Sequence, residues 1–210
     1  MAISTPTKSG LALRPALLDR AEQVLIVSLW SMMVARFFHA ADKGLWLVLL
    51  SETAVMVFVI IRRPTEQLSL DLGDWLLAIT ATAAPLLVRP GGEALFGMAA
   101  VGQALVIVGN VVQASAKLAL RRSFGIAPAN RGVKVSGPYR FMRHPMYGGY
   151  LWVHIGALIL MPTLFNCVVY AIGWCAQLLR LKAEERLLAQ DPAYRAYAAQ
   201  VRWRLLPGIY

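Results

Sequence analysis

Charge is scarce in this chain. Only 15% of its 210 residues are Asp, Glu, Lys or Arg, and acid is scarcer than base, 11 Asp+Glu against 21 Lys+Arg. Soluble domains carry about 25% charged and about 45–50% apolar residues. Here 58% is hydrophobic, mean hydropathy is +0.57 and the formal net charge is +10. These deficits exclude the usual composition of a soluble globular enzyme, a disordered chain or a nucleic-acid module. Cysteine is nearly absent too. Cys167 and Cys175 are about 12 Å apart along a helix, beyond the roughly 7 Å that a disulfide tolerates, so two separate buried thiols are expected. The histidines, His39, His144 and His154, are scattered without metal-ligand spacing, so no metal site is expected. There is no Gly-x-Gly-x-x-Gly and no strand–helix alternation, which argues against a Rossmann-type cofactor domain. Residues 1–20 are polar and basic, and no small-residue cleavage site follows the first apolar run, so no cleavable leader is expected.

What the chain does have is long apolar runs. Val24–Ala35, Gly44–Ile61 with Glu52, Leu72–Val88 with Asp74, and Ala94–Ala116 each suit one membrane span of about 20 residues. Pro145–Leu179 carries no formal charge and is too long for one span, at roughly 52 Å of helix. Pro162 sits near its middle and would break the helix there. A hairpin is therefore predicted, with arms at about 146–161 and 163–179. It either crosses fully or turns within the bundle where protein buries the turn. Arg36 and Glu52 are expected to form an ion pair within the first helical pair, with a place in a substrate tunnel as the other reading. All Lys and Arg except Arg36, Lys43 and Arg89 fall on one side of this topology. The positive-inside rule then places the N-terminus, the 117–145 loop and the C-terminal tail in the cytoplasm. The fold expected is all-α, a polytopic membrane bundle of five to six transmembrane segments ending in the Pro-broken hairpin. It forms one domain over 1–210, with spans in 1–119 and the chemistry in 120–210.

Two polar pieces remain, Lys117–Pro145 and Arg180–Tyr210. Both flank the hairpin, so they meet at its open end. The first is punctuated by Gly and Pro and reads as an ordered, turn-rich segment. Gly148 and Gly149 at the hairpin's start would let a backbone or ligand approach closely. In the second, Arg180 and Glu184 share a helix face at i, i+4. Asp191-Pro192 reads as a cap and first residue of a short helix to about Trp203 that carries Tyr194 and Tyr197. Interfacial anchoring accounts equally for the loop's Arg and Tyr residues. Lys182, Glu185 and Arg186 are expected in surface salt bridges. His154, about ten residues into the hairpin, either lines a substrate path or is a satisfied structural histidine.

Gly137-Pro138-Tyr139, then Arg143-His144-Pro145-Met146-Tyr147-Gly148-Gly149, an apolar hairpin and Glu184-Glu185 resemble the Arg-His-Pro-x-Tyr…Glu-Glu pattern of integral membrane methyltransferases. That group holds the isoprenylcysteine carboxyl methyltransferases and phospholipid methyltransferases. Tyr194-Arg195-Ala196-Tyr197 and Arg204-Leu205-Leu206-Pro207-Gly208 fit it as well, and the resemblance covers about 120–210. It implies S-adenosylmethionine as cofactor and a lipophilic or prenylated methyl acceptor, most directly an isoprenylcysteine-type carboxylate, in contact with membrane lipids and without nucleic acid. It places Arg131, Gly132, Val133, Lys134, Tyr139, Arg143, His144, Pro145, Met146, Tyr147 and Glu184 at the cofactor. Arg180 and Glu184 are the expected catalytic pair, with Arg180 facing the substrate. Phe124 stands where the family often has a polar residue. Other acceptors within the same chemistry are a phospholipid amine, a lipid phenol or pyrone, or a thiol. Membrane reductases that use NADPH carry a related C-terminal pattern, and a non-enzymatic scaffold or transporter is the remaining class. A bacterial cytoplasmic membrane or the endoplasmic reticulum is the implied location.

Overall fold

The computed structural model describes residues 15–39, 53, 56–62, 65 and 67–210. Among these the chain is helical, with no strand and one isolated antiparallel bridge between Leu68 and Ala129. The helices are α1 (Pro15–His39), α2 (Leu72–Ala83), α3 (Ala99–Leu120), α4 (Pro145–Leu160), α5 (Leu164–Leu188) and α6 (Pro192–Gln200). Two of them are long and apolar enough to cross a membrane, Ala99–Ser123 and Leu164–Leu188. The apolar run from Leu72 breaks early, because Pro85 turns its end into a 3-10 segment, Ala84–Leu87. The run at 44–61 and the Arg36–Glu52 pair lie largely or wholly outside the described residues.

The hairpin is where proline and its neighbours put it. α4 ends at Leu160, and Thr163 caps α5 by accepting from the Asn166 amide at 3.2 Å. The turn itself is half-exposed and is anchored by one buried side chain. Asn166 is fully buried and donates to the Met161 and Arg89 carbonyls at 3.0 and 2.9 Å, while its carbonyl accepts from the Arg89 amide at 3.0 Å. That pairs backbone groups left open where the helix breaks. The arms then part: α4 lies along α3, and α5 packs on α2.

Close contact of α3 and α4 follows from glycines spaced seven apart on both helices. A Cβ at Gly109 would come within 2.7 Å of the Gly149 carbonyl oxygen and Val153 nitrogen. One at Gly149 would meet the Gly109 carbonyl at 2.8 Å, and Gly102 faces Gly156 in the same way. Small residues thus let two backbones touch, as in membrane helix pairs. Gly149 therefore serves helix packing, and Gly148 abuts the Leu205 carbonyl of the tail at 2.9 Å from its would-be Cβ.

Outward faces of α2, α3 and α5 are aliphatic, with Leu76, Ile79, Ile107, Val111, Val168 and Ile172 all exposed. Cys167 and Cys175 belong to this outer face and are exposed, unbonded thiols. The expectation that they pack inside is corrected. α5 turns its Asn166, Val169, Tyr170, Gly173, Ala176, Gln177 and Arg180 side inward, and both thiols fall on the other side.

Candidate active site

Four segments converge at the open end of the hairpin. α3 delivers Leu120 and the loop beyond it, and the N-terminus of α4 delivers His144, Met146 and Tyr147. α5 brings Glu184 and Leu188, and α6 brings Tyr194 and Tyr197. Together with Ser123, Gly125, Ala127, Ala129, Arg131–Lys134, Tyr139 and Arg143 they enclose one cavity.

Local sequence explains how each piece is held. Pro145 occupies the first turn of α4, where its missing N–H costs nothing, and His144 is the N-cap residue. The amides of Arg143 and His144 donate to the Trp203 and Arg204 carbonyls, both at 2.8 Å, so the tail is laced to the motif by backbone bonds. Asp191 caps α6 by accepting from the Ala193 amide at 2.8 Å, and its other oxygen accepts from Asn130 at 2.8 Å. The helix it starts ends at Gln200, three residues short of the expected Trp203. Tyr197 Oη donates to the Tyr139 carbonyl at 2.7 Å, joining α6 to the Gly137–Arg140 turn.

The adjacent glutamates diverge. Glu184 faces the cavity: its Oε1 accepts from Tyr147 Oη at 2.6 Å, and its Oε2 lies 3.7 Å from His144 Nδ1. Arg180 Nε is 3.5 Å from Glu184 Oε1, and its guanidinium carbon lies 5.3 Å from the Tyr147 ring centroid, a cation–π contact. Glu185 turns the other way. It is bonded by Arg143 at 2.7 Å, by His144 Nε2 at 2.7 Å and by Tyr194 Oη at 2.6 Å, with Arg204 Nε at 3.7 Å. The surface salt bridge expected of Glu185 is corrected: it is a partly buried hub holding tail, loop and α5 together. Its carboxylate finds those partners only because the tail folds back over α4. Arg186 does bridge, to Asp74 at 2.9 Å, and Lys182 is exposed.

Burial keeps the cavity's phenols neutral. Tyr139 is pushed well above its usual pKa by burial and then by the Glu184 carboxylate. Tyr194 is raised by burial and its bond to Glu185, and burial pushes Tyr197 up to about 12. All three act as neutral aromatics and donors near pH 7.

The residues expected at the cofactor are placed as follows. Gly132, Val133, Lys134, Tyr139, Arg143, His144, Met146, Tyr147 and Glu184 line the cavity. Arg131 lines it as well, but its guanidinium bonds Asp19 at 2.7 Å and approaches Glu22 at 3.8 Å, on the side of α1. Pro145 is fully buried and does not line the cavity. Arg180 is buried beside the cavity, next to Gln177, whose Oε1 makes no hydrogen bond. Phe124 is buried in the core with Ile26 and Ile126, so the apolar residue there packs inward. His154 accepts from Trp174 Nε1 at 3.1 Å and stacks between Tyr150 and Tyr170, the arrangement of a satisfied histidine. Ser123, Gly125, Leu188, Tyr194 and Tyr197 were not singled out as lining residues. The tail motif carrying the two tyrosines was the signal for them, whereas Ser123 and Gly125 had none.

The donor set suits a zwitterionic sulfonium nucleotide. One carboxylate, Glu184, faces the cavity, the basic side chains Lys134, Arg143 and His144 line it, and Leu120, Ala127 and Leu188 supply apolar wall.

Residues 96–190 match the family model of the Isoprenylcysteine carboxyl methyltransferase (ICMT) family. Protein-S-isoprenylcysteine O-methyltransferase A of Arabidopsis thaliana is 27% identical over 134 residues, covering 60% of this chain and 68% of the relative. The resemblance read from the motifs is borne out over these residues, and the chain is a methyltransferase.

Proposed function

We propose that the protein is a membrane-embedded methyltransferase that uses S-adenosylmethionine to methylate the carboxylate of an isoprenylcysteine-type acceptor. The observation that carries this reading is the cavity in which Tyr139, His144 and Glu184 come together beside buried Arg180. When bound, S-adenosylmethionine supplies an electrophilic methyl on a positively charged sulfur. Glu184 would hold its amino group, and the basic side chains Arg143, His144 and Lys134 its carboxylate. Tyr139 and Tyr147 would offer aromatic faces to the adenine or the sulfonium.

An acceptor carboxylate is already ionised at neutral pH, so no base is needed. Orientation is, and it contributes several kcal/mol when attack is aligned. Arg180 is suited to that task. Its guanidinium is pinned between Glu184 and the Tyr147 ring, and its fork can take a carboxylate bidentately. The acceptor's apolar chain would reach it from the bilayer, between helices whose outer faces are aliphatic. The cofactor would enter from the cytoplasmic side favoured by the Lys/Arg distribution. A multi-pass topology of five to six segments, with both termini cytoplasmic, belongs to this reading.

The test is methyl transfer from labelled S-adenosylmethionine to a prenylcysteine analogue, with an aminophospholipid and a lipid phenol as competing acceptors. Transfer to the prenylcysteine analogue in wild type, lost in Arg180→Lys with cofactor binding retained, is expected. No transfer to it, or no saturable cofactor binding, would overturn the reading.

A further inference from the structure

One cluster lies behind the cavity and shares only Arg131 with its lining. At the start of α1, Asp19 and Glu22 are buried, Glu22 at 1% exposure, with two buried arginines from distant parts of the chain. Arg62 bonds Asp19 at 2.7 Å and lies 3.1 Å from Glu22. Arg131 bonds Asp19 at 2.7 Å. Among the described residues, two acids and two bases balance one another here, the condition under which buried ions are tolerated.

Glu22 does more than balance charge. Its Oε1 accepts the backbone N–H of Ile126 and, at 3.3 Å, that of Ala127. Those amides are the middle of the loop that walls the cavity with Gly125, Ala127 and Arg131–Lys134. A Cβ at Gly125 would stand 2.5 Å from Arg131 Nη1 and 3.3 Å from Glu22 Oε1, so the cluster touches the back of that wall. Ser123 Oγ donates to the Arg131 carbonyl at 2.9 Å and closes the loop on itself. Ile26, one turn beyond Glu22, packs in the same apolar cluster as Phe124 and Ile126.

We propose that Glu22 is a positioning residue: from α1 it fixes the 125–134 loop in the shape that receives the cofactor. The proposal rests on the cofactor reading given above. One carboxylate accepting two successive amides sets the peptide planes between them. The charge of Glu22 then holds Arg62 and Arg131 around the loop, whose 131–134 stretch lines the cavity.

The experiment pairs amide hydrogen exchange with cofactor titration on the purified full chain. In Glu22→Ala, exchange at Ile126 and Ala127 should accelerate and the S-adenosylmethionine Kd should rise about tenfold, the scale of losing charge-assisted hydrogen bonds. The KM for the acceptor and kcat at saturating cofactor should stay near wild type. Glu22→Gln keeps an acceptor oxygen for the two amides but not the charge beside Arg62 and Arg131, so it should recover part of the affinity and of the exchange protection at Ile126 and Ala127. If Glu22→Ala does not fold, Asp19→Asn takes its place. It frees the Arg131 end of the loop, so exchange at 129–134 should rise together with the Kd. A folded variant whose loop exchange or Kd matches wild type overturns the proposal. Wild type that binds no S-adenosylmethionine overturns the cofactor reading and this inference with it.

Discussion

Glu184 and Glu185 are neighbours in sequence and do different work because a helix turns about 100° per residue. Glu184 meets Tyr147 and Arg180 at the cavity, and Glu185 meets Arg143, His144 and Tyr194 behind it. Neutralising each should separate affinity from stability. Glu184→Gln should weaken S-adenosylmethionine about tenfold with little change in thermal midpoint, since it loses a charge facing the ligand. Glu185→Gln should destabilise the fold by ~1–3 kcal/mol, the usual consequence of stripping a partly buried hub of one charged partner. Calorimetric titration and thermal unfolding in the same detergent check both. His144 links the pair, with one ring nitrogen toward each carboxylate.

At the scale of elements, the seam between α3 and α4 decides where the motif sits. α4 carries His144 and Tyr147 at one end, and its distance from α3 is set by Gly102, Gly109, Gly149 and Gly156. Gly109→Val forces the backbones apart and should cost about 1–3 kcal/mol, as overpacking does. Ala104→Val, on the exposed face of the same helix, should shift stability by less than about 0.5 kcal/mol. Thermal unfolding of the two variants side by side is the check. The hairpin needs a different support, the buried Asn166 that stitches its turn to Arg89. Asn166→Leu should leave the Arg89 and Met161 carbonyls without that donor and lower stability by about 1 kcal/mol for each hydrogen bond lost.

For the whole molecule, two described helices are long and apolar enough to cross a membrane. Aliphatic side chains and both cysteines face outward on α5, which water would not favour and lipid does. In proteoliposomes of a Cys167→Ser protein, Cys175 should resist a water-soluble maleimide and react once the vesicles are dissolved in denaturing detergent. Rapid labelling of intact vesicles would contradict burial of that face in lipid.

Composition and periodicity alone settled the helical class, the proline-broken hairpin, the Asp191-Pro192 helix start and the meeting of loop and tail. These are properties of neighbouring residues: a ring that cannot donate, a carboxylate that caps, a run with no charge. The motif resemblance added which loop residues share a cavity. Tertiary structure decided the rest. It chose Asp19 for Arg131, Glu185 for His144 and Trp174 for His154, turned the cysteines outward, and used Gly149 for a helix seam. Those pairings join groups far apart along the chain, so no local period encodes them. They exist because packing α1 and the tail against the loop removes water from polar atoms, and each atom then takes the partner within reach.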